Sequence, residues 1–294
     1  MRAWRKAGYL TDVSEGQTDI QKQIKKASFN MSDFTYESFL SIYGDIFAKC
    51  PDFFTSKPDF FLCDEVLPKL WRICDRLIDN SKKFTLTSIL DPYEIVLKHI
   101  VDSLLPLALL FDKNIYPSSL LDVGCGAGFP LLPMSAVLSS EKCFSSDTKT
   151  ENKKFVGLDS TGKKISHVEE SADYAGISHL SGVNGRAEEL SHTKLREKFD
   201  VVTARAVAAL PILVELCAPF VSVGGVFAAL KSHVDEELPD ADRAAKALSL
   251  TRDSVSGYEL PDGAKRCLVI YRKISKTPTI YPRRYNEILK HPIR

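Results

Sequence analysis

Apolar residues in the second half of the chain fall in short runs, and stretches with helical spacing separate them. The runs predict strands at 119–123, 154–159, 180–184, 199–204 and 226–231. Helices are predicted between them at 130–139, 162–175, 208–218 and 235–248. Two later runs, near 253–259 and 267–273, read as adjacent strands. Strand and helix in alternation imply a parallel sheet covered on both faces, and the last pair adds an antiparallel edge. The expectation is an α/β fold on a seven-stranded, mostly parallel sheet flanked by helices.

The first half has a different pattern. Phe34, Phe39, Leu40, Tyr43 and Phe47, then Leu67, Leu70, Trp71, Ile73, Cys74 and Leu77, sit at helical spacing, with Pro51, Pro58 and Pro68 as punctuation. Asp91-Pro92-Tyr93-Glu94 is a helix start: Asp91 can accept an end N–H, Pro92 suits the first turn, and Glu94 stands at the capping-box position. The organisation expected is a polar extension at 1–30, a small helical region at 31–115, an α/β domain at 116–275 and a basic tail at 276–294. The polar stretch 139–153 lengthens the first crossover and reads as a surface insertion.

Candidate chemistry begins after the first strand. Asp122-Val123 leads into Gly124-Cys125-Gly126-Ala127-Gly128-Phe129-Pro130, with glycine at three alternate positions. Glycine there lets a ligand touch the main chain. A phosphate-binding loop would end in Gly-Lys-Ser/Thr, which is absent, and a dinucleotide loop prefers the G-x-G-x-x-G spacing. G-x-G-x-G after an acidic strand end suits S-adenosylmethionine, whose adenosine carries no phosphate. A dehydrogenase and a purely structural turn stay open at this point. Asp159, at the tip of the second strand, can accept both hydroxyls of a ribose or cap the next helix. Ala187 and Glu188 follow the third strand, where an adenine edge would meet the main chain.

Charge changes the picture only when divided by region. The total is +1, yet residues 261–294 hold nine Lys and Arg against Asp262 and Glu287, a local +7. That concentration predicts a polyanionic partner or a solvated tail. Seven cysteines, an odd number with no Cys-x-x-Cys pair, point to free thiols in a reducing cytoplasm. The apolar stretch near 104–111 is too short to span a bilayer, so no membrane is expected. The six histidines lack metal-ligand spacing, so no metal is expected either.

The chain resembles the bacterial small-subunit ribosomal RNA guanine-N7 methyltransferases, the glucose-inhibited division protein B (GidB, RsmG) family. The likeness runs through Phe84-Thr85-Leu86-Thr87, His99 to Leu104, Asp122 to Pro130, Leu158-Asp159-Ser160 with Lys163-Lys164, and Gly185-Arg186-Ala187-Glu188-Glu189. It continues through Phe199 to Ala206, Gly224-Gly225, Ala229-Leu230-Lys231 and Tyr281-Pro282-Arg283-Arg284. Residues 1–30 fall outside it, Ser232 stands where the family usually has glycine, and Tyr285-Asn286 stands where it usually has Pro-Gly.

The resemblance implies a class I, Rossmann-like S-adenosylmethionine-dependent methyltransferase that modifies N7 of one guanine in 16S rRNA of the small ribosomal subunit, in the cytoplasm. It implies cofactor contacts at Gly124, Gly126 and Phe129, ribose contacts at Asp159 and Ser160, and adenine contacts at Ala187 and Glu188. Arg205 would stand as the catalytic residue at the methionine end or the substrate mouth. RNA phosphates would meet Lys163, Lys164, Lys231, Arg283 and Arg284, and Phe129 and Tyr281 could stack on a base. Two rivals remain. One is a methyltransferase for another acceptor. The other is a non-catalytic RNA-binding or ribosome-assembly protein that retains the methyltransferase fold.

Overall fold

The computed structural model describes residues 34–83, 85–141 and 153–293. The polar extension at 1–30, Phe84, Cys143 and most of the insertion at 139–153 lie outside the described residues. Seven strands form one sheet: β1 (Ser119–Val123), β2 (Lys154–Asp159), β3 (Leu180–Asn184), β4 (Phe199–Arg205), β5 (Val221–Lys231), β6 (Leu250–Glu259) and β7 (Lys265–Lys273). Their spatial order is β3-β2-β1-β4-β5-β7-β6. The first five strands pair in parallel, and β7 runs antiparallel between β5 and β6. The order reverses between β1 and β4, which opens a crevice at the carboxyl ends of these strands.

Every predicted strand is present, and β5 is longer than its apolar run. It starts at Val221, ahead of the glycine pair that reads as a break in the sequence. A β-bulge between Phe199 and Val201 explains the difference. A Cβ on Gly225 would stand 2.6 Å from the Asp200 carbonyl oxygen, so the glycine lets two backbones approach closely.

Four helices open the described chain: α1 (Tyr36–Phe47), α2 (Asp52–Thr55), α3 (Pro58–Phe61) and α4 (Leu67–Ser81). Phe39, Tyr43, Phe54 and Phe61 are fully buried among them. Next comes α5 (Pro92–Ile95), a π-helical turn (Val96–Val101) and α6 (Asp102–Asp112). Asp91 caps α5 as expected, accepting the Glu94 N–H at 3.0 Å, while the Glu94 side chain pairs with Lys98. These helices share one apolar core with one face of the sheet.

The crossover helices follow: α7 (Leu131–Leu138), α8 (Gly162–Ala175), α9 (Ala187–Leu190), α10 (Leu210–Cys217) and α11 (Leu238–Ala247). A second core joins α10 and α11 to the opposite face of the sheet. The six described cysteines are buried and free.

The C-terminal segment docks on this second core through α12 (Tyr285–Lys290). Its anchor is Arg283, whose Nε and Nη2 donate to the Glu215 carboxylate at 2.9 and 2.6 Å. The Arg283 main-chain N–H adds a third bond at 3.0 Å, and Nη1 donates to the His291 carbonyl. Glu215 is 1% exposed, so its charge depends on these donors. Arg283→Ala should destabilise the protein by about 2–3 kcal/mol by leaving that carboxylate under-satisfied. Urea unfolding reads the change, and an unmoved midpoint would show that the pair contributes nothing.

Candidate active site

The glycine loop leaves β1 at its carboxyl end and turns into α7. Gly124, Gly126 and Gly128 have φ of 72°, 56° and 93°, all in the left-handed region that favours glycine. At two positions the packing also demands it. A Cβ on Gly124 would stand 2.5 Å from Val207 Cγ2, and one on Gly128 would stand 2.3 Å from Leu132 Cδ1. Gly126 differs, because its nearest neighbour would be the Gly124 carbonyl oxygen at 3.9 Å. The loop therefore leaves open space above Gly126.

Asp159 holds three strand tips together. Its Oδ2 accepts the Gly126 N–H at 3.1 Å and its Oδ1 accepts the Thr161 N–H at 2.8 Å. Its main-chain carbonyl accepts from the Asn184 side chain and from the Gly185 N–H, at 2.9 and 3.1 Å. The carboxylate thus fixes the glycine loop after β1 and the turn after β2. Its carbonyl fixes the end of β3. Each carboxylate oxygen keeps a lone pair for a further donor.

Asp122 lies beneath the loop, 1% exposed. Thr203 Oγ1 donates to its Oδ1 at 2.8 Å, and its buried Oδ2 has no hydrogen-bond partner. Burial raises its pKa to about 7, against the opposing pull of the Thr203 hydroxyl, the Arg205 charge and the Leu131 amide. A buried carboxylate oxygen without a donor is a place for a cation or a bound N–H.

Arg205, at the end of β4, meets the helical region. Its Nη1 donates to the Lys98 carbonyl in the π-helical turn at 3.3 Å and lies 3.7 Å from Asp102 Oδ2. Arg266 on β7 donates through Nε to both Asp102 oxygens at 3.0 and 3.1 Å. One half-neutralising carboxylate thus serves two arginines. Burial raises the Asp102 pKa and the two arginines lower it.

Phe129 is 6% exposed and stacks on His99, with ring centroids 4.6 Å apart. The Arg205 guanidinium lies 6.0 Å from the Phe129 ring centre. His99 Nε2 bonds to Thr87 Oγ1 at 3.0 Å, and its buried Nδ1 has no partner. Burial first, then the Arg205 charge, lowers the His99 pKa to about 4, so the ring is neutral at physiological pH.

The remaining predicted residues divide into two groups. Ser160 is exposed beside Asp159, Ala187 is buried at the start of α9, and Glu188 is half-buried there. Glu188 and the exposed Arg284 line one cleft of about 580 Å³ with Arg186 and Tyr285. Lys163 is exposed and Lys164 half-buried on the first turn of α8.

Three expectations need correction. Lys231 is held by Glu237 at 3.0 Å and by the Ala208 carbonyl at 3.3 Å. Arg283 is committed to Glu215. Both charges meet acids of the chain itself, so a phosphate would compete with Glu237 for Lys231 and with Glu215 for Arg283. Phe129 already has His99 on its face, so it is no open platform for a base. Sequence reasoning missed Asp102, although the helix-start signal ten residues upstream and its place beside His99 mark that segment. It also missed Glu215 and Val207, which carry no local signal.

A family model described as rRNA small subunit methyltransferase G (GidB) matches residues 67–264. The ribosomal RNA small subunit methyltransferase G of Acetivibrio thermocellus is 36% identical over 234 residues, 79% of this chain and 90% of that protein. Its namesake in Oenococcus oeni is 38% identical over 221 residues, 74% of this chain and 85% of that protein. Among solved structures, the O-methyltransferase from Bacillus cereus in complex with SAH aligns at a TM-score of 0.46 and 13% identity. That alignment covers 68% of this chain and 90% of the other, and adds nothing to the strand order described above. By the extent of the family match and the identity to these relatives, the chain belongs to the rRNA small subunit methyltransferase G family.

Proposed function

We propose that this protein transfers a methyl group from S-adenosylmethionine to N7 of one guanine in 16S rRNA, as naked RNA or within the small subunit. The family match carries this reading. The site fits the cofactor on two observations. The space above Gly126 admits a ligand against the main chain, and the orphan Oδ2 of Asp122 calls for a donor or a cation. Gly124, Gly126 and Phe129 would hold it at the loop, Asp159 and Ser160 at the ribose, and Ala187 and Glu188 at the adenine. The bacterial cytoplasm, where ribosomes are built, is the place of work this reading implies.

The bound cofactor supplies an electrophilic methyl on a positively charged sulfur. Guanine N7 presents a free lone pair at neutral pH, so the protein has no proton to remove. Its residues act by positioning and by keeping water out. His99 fits this role: it is neutral, and its ring packs on Phe129 as part of the wall. Arg205 offers donors to a base edge or a phosphate at the mouth. Asp102 offsets its charge, so a guanine gaining positive charge meets less repulsion than a bare guanidinium would exert. Lys163, Lys164 and Arg284 remain as phosphate contacts, and binding through them weakens steeply with salt.

The direct test is transfer of a labelled methyl to 16S rRNA and to small subunits from cells lacking this gene. Label on N7 of a single guanine is the expected result. Cofactor binding with no label on RNA would redirect the assignment to another acceptor. Arg205→Ala should lower turnover at least about 100-fold while the fold survives; full activity would remove it from the site.

The loop makes its own prediction. Gly126→Ala places a Cβ in open space at a left-handed φ, which costs about 1–2 kcal/mol. It should nonetheless weaken cofactor binding at least about tenfold by filling the space a ligand would use. Calorimetry alongside thermal unfolding separates the two effects, and wild-type affinity in the variant would place the cofactor elsewhere.

Asp122 sets a pH dependence. Its folded pKa, about 7, lies above the ordinary carboxylate value, so the folded protein binds more protons than the unfolded chain between those values. Without ligand, the Asp122 contribution to stability should therefore fall as pH rises from about 4 to 7. The buried His99 and His167 contribute a rise against it, so the difference between the wild-type protein and Asp122→Asn isolates the Asp122 part. A cationic ligand favours the ionised form, so cofactor affinity should climb over the same range and level off above it. Asp122→Asn should bind weakly with a flat profile. A flat profile in the wild-type protein would detach Asp122 from the cofactor.

A further inference from the structure

The cofactor reading occupies the tips of β1, β2 and β3. The acceptor is left with the tips of β4 and β5 and the paired ends of β6 and β7. A groove of about 470 Å³ opens there. The strand register builds its floor, because Cys267 on β7 lies between Lys231 on β5 and Gly257 on β6. Ser232, His233 and Asp235, all exposed, line it from the segment after β5, and Tyr258 and Lys265 line it from the hairpin.

Gly257 is the telling residue. It lies inside a strand, where glycine is disfavoured. Its φ is not left-handed, and the irregularity of β6 falls elsewhere, between Arg252 and Ser254. A Cβ there would meet nothing closer than the Arg266 carbonyl oxygen at 4.0 Å. Neither the backbone nor a neighbour calls for glycine at this position. Close approach by a ligand is the remaining physical use of glycine in a strand.

The lining points to the ligand's chemistry. Lys265 and His233 can donate, Asp235 can accept, and Ser232 can do both, a mixture that suits the edge of a nucleobase better than a bare phosphate. The Tyr258 ring turns to the opposite face of the sheet, edge-on to Phe53 at 6.1 Å, which leaves the face over Gly257 uncovered by it. The groove adjoins the Arg205 segment on that face: Lys231, the register partner of its lining residue Cys267, donates to the carbonyl of Ala208, three residues beyond Arg205. The volume is within the range of small-ligand sites and admits one nucleotide.

We propose that this groove seats the nucleotide next to the methylated guanine on the same RNA strand, with its base over Gly257. The proposal rests on the RNA methyltransferase reading and adds a subsite to it. A nucleotide drawn out here would splay the strand and expose its neighbour's N7, as enzymes acting on bases require.

The test fills the groove. Gly257→Leu should raise the KM for 16S rRNA at least tenfold, with cofactor affinity and melting temperature as in the wild-type protein. The exposed pair His233→Ala with Lys265→Ala should shift KM in the same direction, and carries the test if Gly257→Leu folds poorly. Unchanged KM in the double variant and in a folded Gly257→Leu overturns the subsite and leaves the methyltransferase reading intact. A loss confined to assembled subunits, with naked rRNA methylated normally, also overturns it and assigns the groove to a ribosomal protein. No methyl transfer to RNA by the wild-type protein removes both readings together.

Discussion

All five residues of β1 are buried, because helices cover both faces of the sheet at its centre. A strand in that position has no lateral route to water. Polar groups can act only where the strand ends, and the carboxyl end is where the order reverses between β1 and β4. This constraint gathers Asp122, the glycine loop, Asp159 and Arg205 at one edge. It also explains the condition of Asp122. One residue short of the strand's end, it is still in the apolar interior, and that burial raises its pKa to about 7.

Asp159 stands one step further out, and its circumstances are opposite. Main-chain donors meet both its oxygens, so it serves as a strut for the loop before any ligand is present. Two acids at neighbouring strand tips thus divide the work by depth. The buried one is left under-satisfied, and the tip one makes the loop rigid. Rigid support with one unsatisfied group is what a pre-organised binding site requires.

Much of this was legible in the sequence, because the signals were local. The apolar runs placed the strands, Asp91 announced the helix it caps, and three alternating glycines after an acid marked the left-handed turn that follows β1. What stayed hidden depends on residues far apart in the chain. The local +7 of residues 261–294 suggested a polyanionic partner or a solvated tail, yet Arg266, Arg272, Lys273 and Arg283 face Asp102, Asp253, Glu197 and Glu215. Lys273 is buried outright, and burial lowers its pKa to about 8. A regional charge count treats as free field what folding converts into internal pairs. Glu215 looks like any helix residue until the tail arrives 68 positions later.

The same pairing decides how the acceptor side can work. In the methyl transfer proposed above, a guanine held at Arg205 and Arg266 would gain positive charge beside two guanidinium groups, and that repulsion, unrelieved, would oppose the reaction. Asp102 reduces the opposition, because one carboxylate between two guanidinium groups leaves a net +1 where there would be +2. A single arginine with no acid would keep the donors but also the repulsion. Replacing it with a neutral residue would remove both. The arrangement of one acid held by two arginines retains hydrogen-bond donors that would orient a nucleotide and would lower the field at its ring. The helical region supplies that acid from the first residue of α6, which gives this part of the chain a chemical reason to pack against the strand ends.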